Sequence, residues 1–191
     1  LPDIQLASGS RPVKMPYAFC VHMSKIRSFE LFHGAVLTKL VRSDRPITMR
    51  LIQTSPKEEW RLYLVNGNKG DIQFYMRVVK RPHELSKKKT GKSWYFPFQK
   101  IEWEKIKKLL EKERLYVFFI CGAKEVNDDM RLCVVGPEKI NDILDFNFNG
   151  TSQNVTVKHL KGKSYRVIGS NKNQEIIIYQ KAIDDVFAEI G

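Results

Sequence analysis

The sequence predicts an α/β or α+β fold in which a mixed central sheet is flanked by helices, with a small C-terminal β extension. Its segments follow the order helix, three strands, helix, strand, strand, helix, which is typical of layers built on a mixed sheet. The 191 residues are 42% hydrophobic and 28% charged, as in ordinary globular domains. One apolar run, from Leu115 to Cys121, suits a strand that is covered on both faces.

The N-terminal elements are predicted from the periodicity of apolar residues. A helix is expected from about Ser28 to about Arg42, because Phe32, Val36 and Leu40 recur on one face. Three antiparallel strands should follow it, since clusters of turn residues separate three apolar segments. These strands are predicted at 47–54, 60–65 and 71–80.

The later elements should complete the sheet and form the extension. A solvated loop over 81–92 precedes an aromatic strand. The predicted elements are strand 94–98, helix 99–113, strands 115–121 and 131–135, and helix 136–144. Three short strands are expected after Asn149-Gly150, near Val155, at 165–168 and at 175–179, before a last amphipathic helix.

These elements divide the chain into a core domain over residues 23–148 and C-terminal strands and a helix, 149–191, that pack on it. One interpretation of residues 1–22 is an upstream or cloning-derived extension, because Met23-Ser24-Lys25 resembles a natural start. The sequence leaves a monomer and a homodimer open.

The charge of the chain is distributed very unevenly. The net charge is +12, and residues 1–100 carry 19 Lys and Arg against 7 Asp and Glu, whereas residues 101–191 carry 14 of each. A surface of this kind favours a densely negative partner, with nucleic acid first and an anionic membrane second. The cations predicted to contact nucleic acid are Arg42, Arg45, Arg50, Lys80, Arg81, Lys87, Lys88, Lys89 and Lys92.

The cysteines and histidines do not indicate a metal or redox centre. Cys121 and Cys133 lie inside apolar runs, so reduced core thiols and a cytoplasmic location are expected. The four histidines have no spacing that is typical of zinc ligands. Thr90-Gly91-Lys92-Ser93 resembles the end of a P-loop, but Ser86 replaces the required glycine and an aromatic strand replaces the following helix, which excludes nucleotide binding.

Over roughly Ser28 to Leu144, the order of elements resembles the restriction-endonuclease-like fold of the PD-(D/E)XK nucleases. In that family an N-terminal helix often supplies a glutamate, and the second and third strands supply a carboxylate and then a (D/E)-x-K triplet. The resemblance places Glu30 as the helix acid and Glu59 or Asp71 as the first carboxylate. The triplet falls at 72–75, where Gln73 replaces the usual acid.

The resemblance also implies a reaction. Tyr75 replaces the usual lysine of the triplet, and Arg77 and Lys80 are the nearest cations. In a working nuclease, Asp71 and Glu59 would bind Mg²⁺ and Arg77 would stabilise the charge that develops on the phosphate. In their other interpretation, Asp71 is a turn residue after Gly70 and Glu59 is a solvated residue at the entry to a hairpin.

Three functions follow from these observations. The leading prediction is a DNA-binding protein with an endonuclease-like core, either a Mg²⁺-dependent endonuclease or a relative that binds without cleaving, with DNA favoured over RNA. The alternative is a non-catalytic nucleic-acid-binding module with a basic N-terminal face. A third interpretation is a peripheral membrane or protein-interaction domain, and retention on anionic vesicles but not on DNA would favour it.

Overall fold

A computed structural model describes residues 28–42, 47–55, 60–85, 91–123, 130–170 and 174–190. Within these ranges the chain forms four helices and ten strands. The helices are α1 (Ser28–Val41), α2 (Lys100–Leu110), α3 (Pro137–Ile143) and α4 (Ala182–Ile190). The strands are β1 (Thr48–Thr54), β2 (Trp60–Gly67), β3 (Gly70–Val79), β4 (His83–Glu84), β5 (Gly91–Gln99), β6 (Arg114–Cys121), β7 (Arg131–Val135), β8 (Ser152–Leu160), β9 (Tyr165–Gly169) and β10 (Glu175–Ile178).

The strands form two five-stranded sheets. Sheet A has the order β1-β2-β3-β6-β7, and only its β3–β6 pair is parallel. A parallel pair needs a crossover connection, and the segment between β3 and β6 contains β4, β5 and α2. Sheet B has the order β10-β9-β8-β5-β4 and is antiparallel throughout.

Sheet A separates two apolar layers because alternate residues of β3 point to opposite faces. Ile72 and Phe74 pack with buried residues of α1 and α4, whereas Tyr75 packs with α2, α3 and the inner face of sheet B. The turn between β2 and β3 has Gly70 at φ +110°, a conformation that residues with a side chain rarely adopt. The layers are therefore α1 with α4, sheet A, and then sheet B with α2 and α3.

The predicted α+β class and the mixed sheet are confirmed, and the run from Leu115 to Cys121 is buried along its length. The C-terminal β extension is larger than predicted, because β5 pairs with β8 from Gly91 to Gln99 and brings β8, β9 and β10 into a full second sheet. The predicted boundary after residue 148 thus separates two neighbouring strands of one sheet. The two-residue strand β4 was not predicted.

Two cysteines of the described residues lie in the core. Cys121 and Cys133 are free thiols, and burial raises the pKa of both above the usual thiol range, which makes them poor nucleophiles. Cys20 lies outside the described residues. None of the helices in those ranges is long and apolar enough to cross a membrane.

The side chain of His33 in α1 is buried, and neither of its ring nitrogens has a hydrogen-bond partner. Burial, and secondly the positive charge of Arg61, lower its pKa to about 4 from the usual 6.5. As the pH falls from 6.5 towards 4, the unfolded chain binds a proton here that the folded protein does not bind. Stability is therefore lost as the pH falls through this window.

Replacing His33 with Leu should raise stability at pH 7, because an apolar side chain has no unpaired nitrogens to bury. It should also remove roughly 2 kcal/mol of the stability difference between pH 7 and pH 4.5, given the shift of the His33 pKa. Urea unfolding of both proteins at the two pH values measures this. An equal loss of stability in the variant would show that His33 does not cause the acid sensitivity.

Candidate nucleic-acid interface

The hairpin of β8 and β9 concentrates positive charge. The segment 146–174 contains five Lys and Arg and no Asp or Glu. Those five are Lys158, Lys161, Lys163, Arg166 and Lys172, of which Lys172 lies outside the described residues. Lys161, Lys163 and Arg166 are exposed, and Lys158 is half-buried. The second half of the chain is therefore neutral only on average.

Strand register brings these cations next to others that the sequence had singled out. Lys158 lies opposite Arg166 on β9 and opposite Ser93 on β5. Lys92, the residue before Ser93, lies at the same end of the sheet but on its other face, opposite Glu84 and His159. Both Lys158 and Arg166 point away from the core, because their neighbours Val157 and Val167 point into it. Like charges that face each other across strands are destabilising, so this pair favours an anion between them. Arg166 also pairs with Glu175 at 2.7 Å.

Two further predicted cations, Lys80 and Arg81, lie on the chain that leads from β3 into β4. The Trp94 indole donates to the Gly122 carbonyl at 2.8 Å. The backbone of Lys80 approaches Gly122 so closely that a Cβ there would meet the Lys80 oxygen at 2.6 Å. Both cations are exposed. We call the following set the basic end of sheet B: Lys80, Arg81, Lys92, Lys158, Lys161, Lys163 and Arg166.

A second candidate site is a pocket of about 570 Å³ at the edge of sheet A. The parallel strands β3 and β6 both begin there, so their first residues lie side by side, with Ile72 opposite Arg114. The polar and charged residues that line the pocket are Arg50, Asp71, Gln73, Lys112, Glu113 and Arg114. Asp71 is exposed and accepts a hydrogen bond of 2.7 Å from the Asn66 amide.

Gln73 is the most constrained polar group of this pocket. Its side chain is 7% exposed, and its amide nitrogen donates to a carboxylate oxygen of Glu113. Its Oε1 is buried and has no hydrogen-bond partner. A buried acceptor of this kind carries a desolvation cost that a cation or a donor group in the pocket would offset.

Arg77 lies elsewhere, in a buried network around Glu102 of α2. The guanidinium of Arg77 and the hydroxyl of Tyr75 both donate to Glu102 Oε1, the hydroxyl at 3.0 Å. The other Glu102 oxygen accepts from the Gln99 backbone N–H at 2.7 Å and so caps α2. Burial, and then the charge of Glu102, raise the pKa of Tyr75. Arg77 is 3% exposed and joins α2 to sheet A, where a phosphate does not reach it.

The other predicted site residues are scattered. Glu30 is half-buried in the first turn of α1, which packs on the face of sheet A opposite to Gln73 and Tyr75. Arg42 is exposed just after α1. Five predicted site residues lie outside the described residues: Glu59, Arg45, Lys87, Lys88 and Lys89. Leu85 and Gly91, on either side of the three lysines, are joined by a hydrogen bond of 3.2 Å from the Leu85 N–H to the Gly91 carbonyl.

Sequence reasoning missed Glu113 and the four described cations of the β8–β9 hairpin. Glu113 directly precedes the buried strand β6, and parallel strands begin at the same edge, but the pairing of β6 with β3 was not predicted. The hairpin cations were hidden because charge was summed over halves of the chain; a shorter window exposes the stretch without acids. Among the described residues, no group of three His, Cys, Asp or Glu could hold a metal ion.

Comparison with known proteins adds no assignment. No protein-family model, no curated protein and no solved structure matches this chain.

Proposed function

We propose that this protein binds nucleic acid, with DNA favoured over RNA, and that the basic end of sheet B is its main contact surface. The observation that carries the proposal is the convergence of cations from two distant parts of the sequence on one end of one sheet. Lysine and arginine that contact phosphates release counterions, and this release supplies most of the affinity of sequence-independent binding.

The arrangement also favours contacts with the backbone over base readout. The exposed cations lie on the β8–β9 hairpin and on the chain that enters β4, and not on a helix that could enter the major groove. Contacts of this kind position a protein on nucleic acid without reading its sequence. We therefore expect weak dependence on the DNA sequence.

Salt titration tests this proposal. The affinity for a duplex of random sequence should fall by about 10³-fold or more between 50 and 200 mM salt if six or more phosphates are contacted. Fluorescence anisotropy of a labelled duplex measures the dissociation constant at each salt concentration. An affinity that stays constant over this range would remove the proposal.

A second candidate function is Mg²⁺-dependent cleavage in the pocket at the edge of sheet A, as the resemblance to the PD-(D/E)XK nucleases implies. The observation that favours it is the unpartnered Gln73 oxygen in a pocket that also holds Asp71 and Glu113. Two carboxylates and an amide oxygen form a donor set that fits Mg²⁺. These three residues would hold the ion, while Arg50 and Lys112 would orient a phosphate. When bound, Mg²⁺ would supply charge stabilisation at that phosphate.

Plasmid nicking with Mg²⁺ or Mn²⁺, with and without chelator, tests the second candidate. Asp71→Asn and Glu113→Gln should each abolish metal-dependent nicking, because each removes a charged ligand. The melting temperature of Asp71→Asn should stay near that of the wild type, since Asp71 is exposed. Glu111 is an exposed acid in the same turn as Glu113, so Glu111→Gln is the matched control and should nick DNA as the wild type does. Absence of nicking by the wild type would exclude cleavage and leave the binding proposal intact.

A further inference from the structure

The outer face of sheet B carries aromatic and cationic side chains together. One continuous row crosses all five strands, from His83 through Ser93, Lys158 and Arg166 to Ile177. With neighbouring strands about 4.8 Å apart, the row is about 19 Å long.

Tyr95 stands beside this row on the same face. Tyr95 is 47% exposed, and its ring makes an edge contact with His83, with the ring centroids 4.9 Å apart. Tyr95 lies opposite Thr156, two residues from Lys158 along β8. Its neighbours Trp94 and Phe96 are buried in the core, and their packing holds this part of β5 in place.

Exposed aromatic residues on a sheet contribute to nucleic-acid binding by stacking on bases. The bases of a duplex are already stacked on each other, so an exposed ring gains a stacking partner only from an unpaired base. Lys158 and Arg166 lie on the same face as Tyr95 and supply the positive charge that the phosphates of the bound nucleic-acid strand require.

We propose that the outer face of sheet B binds a single strand of nucleic acid, with a base stacked on Tyr95 and adjacent phosphates on Lys158 and Arg166. This inference rests on the proposed function and specifies its substrate class: unpaired nucleotides in preference to duplex. The row extends to the exposed side chain of Ile177, which offers an apolar contact at the far edge of the sheet.

Anisotropy titrations of three labelled probes, a 15-nucleotide oligo(dT), a 15-nucleotide oligo(rU) and a 15-base-pair duplex, test the inference at one salt concentration. The wild type should bind a single strand more tightly than the duplex. Tyr95→Ala should weaken single-strand binding by about 5- to 100-fold, the range for loss of one stacked base. Duplex binding should change by less than about twofold, since no stacking is lost there. The two single strands show whether DNA or RNA is preferred.

Two variants serve as controls. Tyr95→Phe keeps the ring and should retain single-strand affinity. Ile101→Ala removes an exposed apolar side chain of α2, which is not part of sheet B, and should change nothing. If Tyr95→Ala leaves single-strand affinity unchanged while salt-dependent duplex binding persists, this inference fails and the proposed function stands. If the wild type binds none of the three probes, both fail.

Discussion

Replacing Lys158, Lys161, Lys163 and Arg166 together with Ala is expected to reduce duplex affinity by about 10²- to 10³-fold at 100 mM salt. The slope of log K against log salt should fall by about 3, because each lost phosphate contact removes close to one. Four contacts would remove slightly more, but Arg166 already pairs with Glu175 and should contribute less than the lysines. Anisotropy at several salt concentrations gives both quantities.

A matched control separates a local surface from the overall charge. It removes four exposed cations outside the basic end: Lys39, Lys100, Lys107 and Lys108. Both quadruple variants lower the net charge by the same amount, so non-specific attraction should weaken equally in each. The control should change the salt slope by less than about one. Equal losses in the two variants would mean that net charge, and not the basic end, carries binding.

The second large effect concerns stability. Glu102→Ala should destabilise the fold by about 3–5 kcal/mol, because it leaves the buried Arg77 charge without this partner. The Tyr75 hydroxyl and the Gln99 N–H lose the same acceptor. Urea unfolding followed by circular dichroism measures the change in the free energy of unfolding.

A double variant tests whether the loss comes from the buried Arg77 charge that remains when Glu102 is removed. Arg77→Met with Glu102→Gln removes both charges. The single amide oxygen of the new Gln can accept from the Gln99 N–H, and its NH2 group can donate to the Tyr75 hydroxyl oxygen, so the double variant should recover to within about 1–2 kcal/mol of the wild type. Glu104→Ala breaks an exposed pair with Lys100 at 4.0 Å and should cost less than about 0.5 kcal/mol. A double variant as unstable as Glu102→Ala would show that the charge of Arg77 is not the cause.

Elements whose signal is local could be predicted from the sequence. The period of α1, the turn around Gly70 and the apolar run of β6 each depend on neighbouring residues, and each appears where it was expected. Sheet B could not be predicted in this way. Its β5–β8 ladder joins Gly91 to Leu160, and nothing in the sequence of either strand specifies a partner so far along the chain.

The candidate sites were predictable to different degrees. Asp71 and Gln73 do share a pocket, because alternate residues of one strand point the same way. Arg77 continues this alternation, yet it lies deeper along β3, under α2, where Glu102 neutralises it. That partner is 25 residues away along the chain, so the sequence alone could not distinguish a buried ion pair from a phosphate ligand.

The central claim is that DNA covers the basic end of sheet B, and lysine footprinting measures this most directly. The protein is acetylated with and without a saturating duplex, and the modification of each lysine is followed by mass spectrometry. The account predicts that DNA protects Lys158, Lys161 and Lys163 and leaves Lys107 and Lys108 of α2 as reactive as before. Protection confined to α2, or equal protection of every exposed lysine, would contradict it.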